Sequence, residues 1–203
     1  MKTGAIITLM ISFLLAAKTT SGENEIVLDF WGSPVKPNTW YFAQTEVIGG
    51  TYISRFKVPL VPIFHSLSPE TAVFTKTSSS FLIHPLPIMF VLSSDVVVRV
   101  STELNIKFAF PSACNETGFW QVRDDFFSQH MVHLMGTKSA SDSTFTIKKS
   151  DDKVYKFAFG GTSVDPSDNS TDIVSLKENG PPSLGRLKMR NPELKISFFK
   201  YFP

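Results

Sequence analysis

From Glu23 onward, large apolar residues alternate with polar ones over short runs, each closed within eight to twelve residues by Pro, Gly, Ser, Asn or Asp. Successive side chains of a strand point to opposite faces, so this period of two predicts half-buried strands. The pattern predicts strands over Thr51–Phe56, Val96–Val100, Leu104–Phe108, Phe145–Lys148, Val154–Phe159, Leu184–Lys188 and Leu194–Phe199. Thirteen Pro residues, scattered from Pro34 to Pro203 among the turn residues, leave no stretch long and clean enough to read as a helix. A Pro ring removes a donor and clashes with the preceding helical turn. The chain therefore reads as all-β, a barrel or a sandwich.

Three of the runs echo one another: Asn105–Phe110, Val154–Phe159 and Leu194–Phe199 each alternate large apolar residues with Lys, Ser or Ala, about forty to fifty residues apart. A second echo links Asn38–Phe42 with Thr117–Val122. Threefold repetition of short strands favours a β-trefoil over a sandwich, because such a barrel closes its own edges without helices. Coincidence among Phe-rich strands is the competing account.

The first residues break the pattern. Lys2 precedes Ala5–Ala17, thirteen residues in which only Thr8 and Ser12 are polar, and small polar residues follow to Gly22. That sequence of regions is expected of a secretory signal peptide, 1–22, cleaved between Ala17 and Glu23. As a helix the apolar run covers about 20 Å, short of the ~30 Å hydrocarbon core of a membrane. The mature chain, 23–203, is then one domain, secreted or vacuolar, with no membrane attachment. Asn115-Glu116-Thr117 and Asn169-Ser170-Thr171 fit that route as N-glycosylation acceptors on loops, at Asn115 and Asn169.

Composition narrows the function. Lys and Arg total 20 against 18 Asp and Glu, and Lys2 and Lys18 leave with the leader, so the mature chain is neutral. A nucleic-acid binder must neutralise many phosphates, which this balance argues against. A single cysteine, Cys114, excludes an internal disulfide and any multi-Cys zinc site. Nineteen Phe and three Trp supply ample surface to bury.

No catalytic constellation is present in the sequence. Gly161-Thr162-Ser163-Val164-Asp165 begins like a nucleophile elbow, but Asp165 stands where the strained turn needs a second Gly. His130 and His133 are three apart, which on a strand puts them on opposite faces and argues against a shared metal. They read as surface or loop histidines, and Asp124-Asp125 as a solvated turn. Arg186, Lys188 and Arg190 share a strand face that reads as a solvated hairpin, with anion binding the sharper alternative. Cys114 has no basic sequence neighbour to activate its thiol. No cofactor, no metal and no enzymatic activity are expected.

Ile26-Val27-Leu28-Asp29, followed by Gly32, Pro34-Val35 and Tyr41, resembles the N-terminal signature of the plant Kunitz-type (soybean trypsin inhibitor) family. The resemblance continues through Arg99–Phe108, Trp120-Gln121-Val122, Tyr155–Phe159, Asp172-Ile173, Gly185-Arg186-Leu187 and Phe198-Phe199-Lys200, essentially the whole mature chain. It implies a β-trefoil and a secreted or vacuolar endopeptidase inhibitor, monomeric, whose partner is a protease, serine type first. In such proteins a rigid loop enters the protease cleft like a substrate, and the cut ends stay in place.

The same resemblance exposes departures. Val58 stands where the first family Cys is usual, Cys114 falls on its partner, and Gly160 and Ser170 replace the other pair, so neither bridge forms. Each would have contributed ~2–4 kcal/mol, leaving the aromatic core to hold the fold. The inhibitory loop maps to Ser93, Ser94, Asp95, Val96, Val97 and Val98, with Val96 or Val97 at the primary position. Trypsin-directed members need Arg or Lys there, to meet the carboxylate at the base of the pocket, so strong trypsin inhibition is not implied. Arg99 reads as a strand residue. By direct register Pro37 replaces the family Asn that braces the loop, with Asn38 one residue later. The alternative reading is a non-inhibitory protein of the same fold, serving in storage, defence or ligand binding.

Overall fold

The computed structural model describes residues 25–45, 51–57, 70–76, 84–110, 117–124, 130–138, 140–161, 171–177, 184–189 and 194–203, with 56–57, 70–76, 174–177 and 184–189 described in backbone only. Within them the regular elements are strands: β1 Trp40–Thr45, β2 Thr51–Lys57, β3 Glu70–Lys76, β4 Ile88–Val91, β5 Asn105–Phe108 and β6 Gln121–Asp124. There follow β7 His130–His133, β8 Phe145–Asp151, β9 Val154–Phe159, β10 Ile173–Lys177, β11 Leu184–Met189 and β12 Ile196–Lys200. A single turn of 3-10 helix, Ser141–Ser143, precedes β8.

Every pairing among these strands is antiparallel. Consecutive strands pair as hairpins, β2 with β3, β4 with β5, β6 with β7, β8 with β9 and β10 with β11. The first and last strands then meet, Phe42 opposite Phe199, which joins the chain's two ends into one continuous sheet running β10-β11-β7-β3-β2-β1-β12-β9-β8. The architecture is the all-β trefoil expected from the sequence, and β5, β9 and β12 are its three echoing strands.

Alternation does its work at the core. In β1, Tyr41, Ala43 and Thr45 turn inward while Trp40, Phe42 and Gln44 stay partly exposed. At the centre Phe90 of β4, Phe157 of β9 and Phe198 of β12 touch mutually, with ring centroids 5.2, 5.9 and 6.2 Å apart. Trp120 bridges this trio to Phe145 and Phe108. Full burial of each such side chain contributes ~1.5–3 kcal/mol, and each edge-on or offset pair adds ~0.5–1.5 kcal/mol.

Asp124 closes strand β6 rather than sitting in the solvated turn expected of Asp124-Asp125, and two further expectations need correction. Val96–Val100 forms no strand: Arg99 makes only an isolated bridge to Ile26, and the residues before it bend. Their alternation arises because Val98 and Val100 are buried stem residues while Val96 projects into solvent. His133 is not a surface residue either, being 9% exposed, although His130 on the opposite face of β7 is exposed as the spacing required. His130 Nδ1 lies 2.6 Å from Asp124 at the facing end of β6.

Candidate functional site

The loop singled out in the sequence is the connection between β4 and β5. Those strands pair along their length, from Ile88 opposite Phe108 to Val91 opposite Asn105, so residues 92–104 must leave the barrel and return to the same place. Leu92 packs against the core at the departure point. Ser93, Ser94, Asp95 and Val96 are exposed, Val96 to 80%. Val97 is half-buried and Val98 fully buried, so the projecting part of the predicted loop is 93–96 and Val98 belongs to its stem. None of residues 93–98 has a left-handed backbone, the conformation that L side chains resist.

Both ends of the loop are fixed by backbone hydrogen bonds. On the departing side, Asn38 N–H donates to Phe90 O over 2.8 Å, and Asn38 takes a positive φ of 56°, which its short polar side chain tolerates. On the returning side three buried valines form a closed ring: Val98 N–H donates to Val35 O (2.8 Å), Val35 N–H to Val27 O (2.8 Å), and Val27 N–H to Val98 O (2.9 Å). β-branched side chains restrict their own rotamers and suit this crowded junction.

The arch that supplies Val27 and Val35 is itself a tight turn. Asp29, 2% exposed, accepts N–H donors from Trp31 (3.0 Å) and Ser33 (2.8 Å) on one carboxylate oxygen, and Gly32 completes the turn at φ 85°. This is why the hydrophobic-x-Asp followed by Gly carries a structural message: the carboxylate replaces solvent for donors that the turn would otherwise leave unpaired.

Two buried tyrosines, invisible as site residues in the sequence, reach the arch from the barrel. Tyr41 Oη accepts Lys36 N–H (3.0 Å) and Tyr155 Oη accepts Leu28 N–H (2.9 Å). Burial, the largest influence on each, pushes both phenols above the ordinary 10.0. Both fall in stretches that resemble the family, yet nothing there marks a site role, which depends on where β1 and β9 point their hydroxyls.

Other predicted features fall elsewhere. Asn115, Asn169, Cys114, Asp125, Arg190, the 1–22 leader and the Ser163 segment lie outside the described residues, as do the side chains of Arg186 and Lys188. Gly160, at the position of a family Cys, ends β9 with φ 97°. Close by, Asp172 bridges Ala158 and lies 3.1 Å from Lys148 Nζ and 2.7 Å from Lys156 Nζ. Among the described residues no group of three or more His, Cys, Asp or Glu is placed to hold a metal.

The barrel is a β-trefoil, with the β4–β5 connection exposed at 93–96 and its returning stem hydrogen-bonded to the 27–36 arch. Residues 27–200 match the legume Kunitz family, described as trypsin and protease inhibitor, and the chain belongs to that family. It is 36% identical to Kunitz trypsin inhibitor 6 of Arabidopsis thaliana over 95% of this chain and 94% of the relative. The solved soybean trypsin inhibitor superposes with a TM-score of 0.68 at 18% identity, covering 88% of this chain and all of that one. A water-soluble chlorophyll protein from Brassica oleracea var. Botrytis, solved with chlorophyll b, gives 0.67 at 23% identity, over 88% and 99% of the two chains. At those identities the structures share the fold. The relatives are inhibitors, and the chain is not an enzyme.

Proposed function

We propose that the protein is a secreted, monomeric inhibitor of serine endopeptidases whose primary pocket is small and apolar, as in elastase-like or subtilisin-like enzymes. The observation that carries this reading is Val96, 80% exposed at the tip of a loop whose two stems are hydrogen-bonded to the barrel. A short β-branched side chain fills a shallow apolar pocket and offers nothing to the buried carboxylate of a trypsin-type pocket. Asp95 beside it adds repulsion toward an acidic pocket. Because both stems of the loop are tied to the barrel, binding forfeits less conformational entropy than for an untethered segment. The family membership and the trypsin-inhibitor names of its relatives support protease inhibition, while the choice of an apolar pocket rests on Val96.

The leader pattern of 1–22 supports export, and Asn115 and Asn169 are the glycosylation acceptors that route would use. Titration of the purified mature protein against elastase-like, subtilisin-like, chymotrypsin-like and trypsin-like proteases tests the proposal. Stoichiometric inhibition of one of the first two, with trypsin unaffected, is expected. Failure to inhibit any of the panel at micromolar concentration overturns it in favour of the non-inhibitory alternative.

A further inference from the structure

The inhibitory loop carries no side-chain brace at Pro37, yet its returning stem is tied into the ring formed by Val27, Val35 and Val98. That ring depends on the direction of two carbonyls, Val35 O and Val27 O. A peptide group is planar, with its N–H and C=O pointing opposite ways, so fixing one end of the plane fixes the other. The N–H sharing a plane with Val35 O belongs to Lys36, and the N–H sharing a plane with Val27 O belongs to Leu28. Those are the two N–H groups accepted by Tyr41 Oη and Tyr155 Oη.

We infer that Tyr41 and Tyr155 are positioning residues for the inhibitory loop: each hydroxyl orients one peptide plane of the 27–36 arch, and the two planes together hold Val98. The inference rests on the inhibitor reading above and deepens it, since it names what keeps the loop's stem in place when a protease attacks the loop. The two rings are rigid parts of the core. Tyr155 stacks on Phe198 at 5.7 Å, and Tyr41 packs near Phe90 at 6.3 Å, so neither hydroxyl is free to wander. The path from the aromatic centre to the loop is therefore short: Phe198 to Tyr155 to Leu28 and Val27, and Phe90 to Tyr41 to Lys36 and Val35, both converging on Val98.

Losing either hydroxyl leaves a backbone donor without its partner and lets the plane rotate, while the ring itself still fills its site. The test uses the mature protein with Tyr41→Phe, Tyr155→Phe and both together, alongside Ile53→Val, a core change away from the arch. Amide hydrogen exchange is read at Val98 and at the β5 amides, and cleavage of the 93–97 segment by the inhibited protease is followed by mass spectrometry. The expected result is exchange at Val98 faster by about tenfold or more in the double variant, with β5 amides slowed or quickened no more than in Ile53→Val. Loop cleavage accelerates in parallel, turning lasting inhibition into temporary inhibition. Val98 protection equal to that of the parent, or loop cleavage no faster than in Ile53→Val, overturns the inference. If the parent inhibits no protease, the inhibitor reading fails, and the exchange at Val98 alone decides whether the tyrosines hold the stem.

Discussion

Lys156 Nζ lies 2.7 Å from Asp172 Oδ2, with the side chains 9% and 1% exposed. Lys148 Nζ approaches the other carboxylate oxygen at 3.1 Å, so one buried anion is shared by two buried cations. The contacts are ionic rather than well-directed hydrogen bonds. Asp172 also bridges Ala158 of β9, so the ion cluster ties the start of β10 to β8 and β9.

Removing the carboxylate leaves two ammonium groups crowded in a poorly solvated site. Asp172→Asn is therefore expected to cost about 3–5 kcal/mol, and Lys156→Met less, because Lys148 still neutralises the anion. For a domain of this size that cost lowers the melting temperature by about 10 °C. Thermal and urea unfolding of the two variants check the order. A stability loss for Asp172→Asn no larger than that of an exposed control such as Asp152→Asn contradicts the role assigned to the cluster.

Gly136 faces a different constraint. A Cβ there would lie 2.5 Å from Trp120 O and 2.5 Å from Ser143 Oγ, and Trp120 is wholly buried. The serine side chain can rotate but the carbonyl is backbone, so Gly136→Ala must displace the chain near Trp120. A loss of about 1–3 kcal/mol is expected, read as a lower urea midpoint, with protease inhibition by the 93–97 loop unchanged.

What the sequence disclosed and what it withheld follow from how far each signal reaches. Val154–Phe159 was legible because Tyr155, Phe157 and Phe159 recur at every second position between turn residues, although the structure buries both faces of the strand. β4, Ile88–Val91, is an unbroken apolar run, and β7, His130–His133, has polar ends on both faces, so neither shows the alternation that marks a strand. The threefold echo located β5, β9 and β12, yet the central trio draws its ring from β4, Phe90, while Phe108 of β5 packs on Trp120 instead. The loop assignment at 93–98 comes from the resemblance, and its missing basic residue from the sequence. The loop's anchors do not: Tyr155 meets Leu28 across 127 residues of chain, and Tyr41, though only 5 residues from Lys36, meets it through an arch that no local pattern describes.

Alkaline pH gives a separate prediction. Burial raises the phenols of Tyr41 and Tyr155 above 10.0, and the Glu25 carboxylate, hydrogen-bonded at 2.6 Å, raises Lys149 above 10.5. In all three the folded chain keeps a proton that the unfolded chain has released. Stability is then complete below the unfolded values and falls as pH climbs past about 10 toward the folded ones. Urea midpoints measured from about pH 8 to about pH 11 should decline at the upper end, and the decline should be shallower for the Tyr41→Phe, Tyr155→Phe double variant. An identical alkaline decline in that variant contradicts the assignment.

The sharpest functional prediction concerns Val96. Its side chain is 80% exposed, so exchanging it leaves the barrel intact and changes only what enters a protease pocket. Val96→Arg supplies the cation that a trypsin-type pocket requires, on a loop whose stems are already tied to the barrel. Trypsin inhibition should rise by about a hundredfold or more, while inhibition of an elastase-like enzyme falls by a similar factor, the span expected of a residue that anchors an interface. Asp95→Ser placed beside it should strengthen trypsin binding further, because Asp95 opposes the acidic pocket. Inhibition constants for the parent and both variants, with unchanged unfolding midpoints as the control, decide the point. If neither protease responds to position 96, another loop residue occupies the pocket and the assignment of Val96 fails.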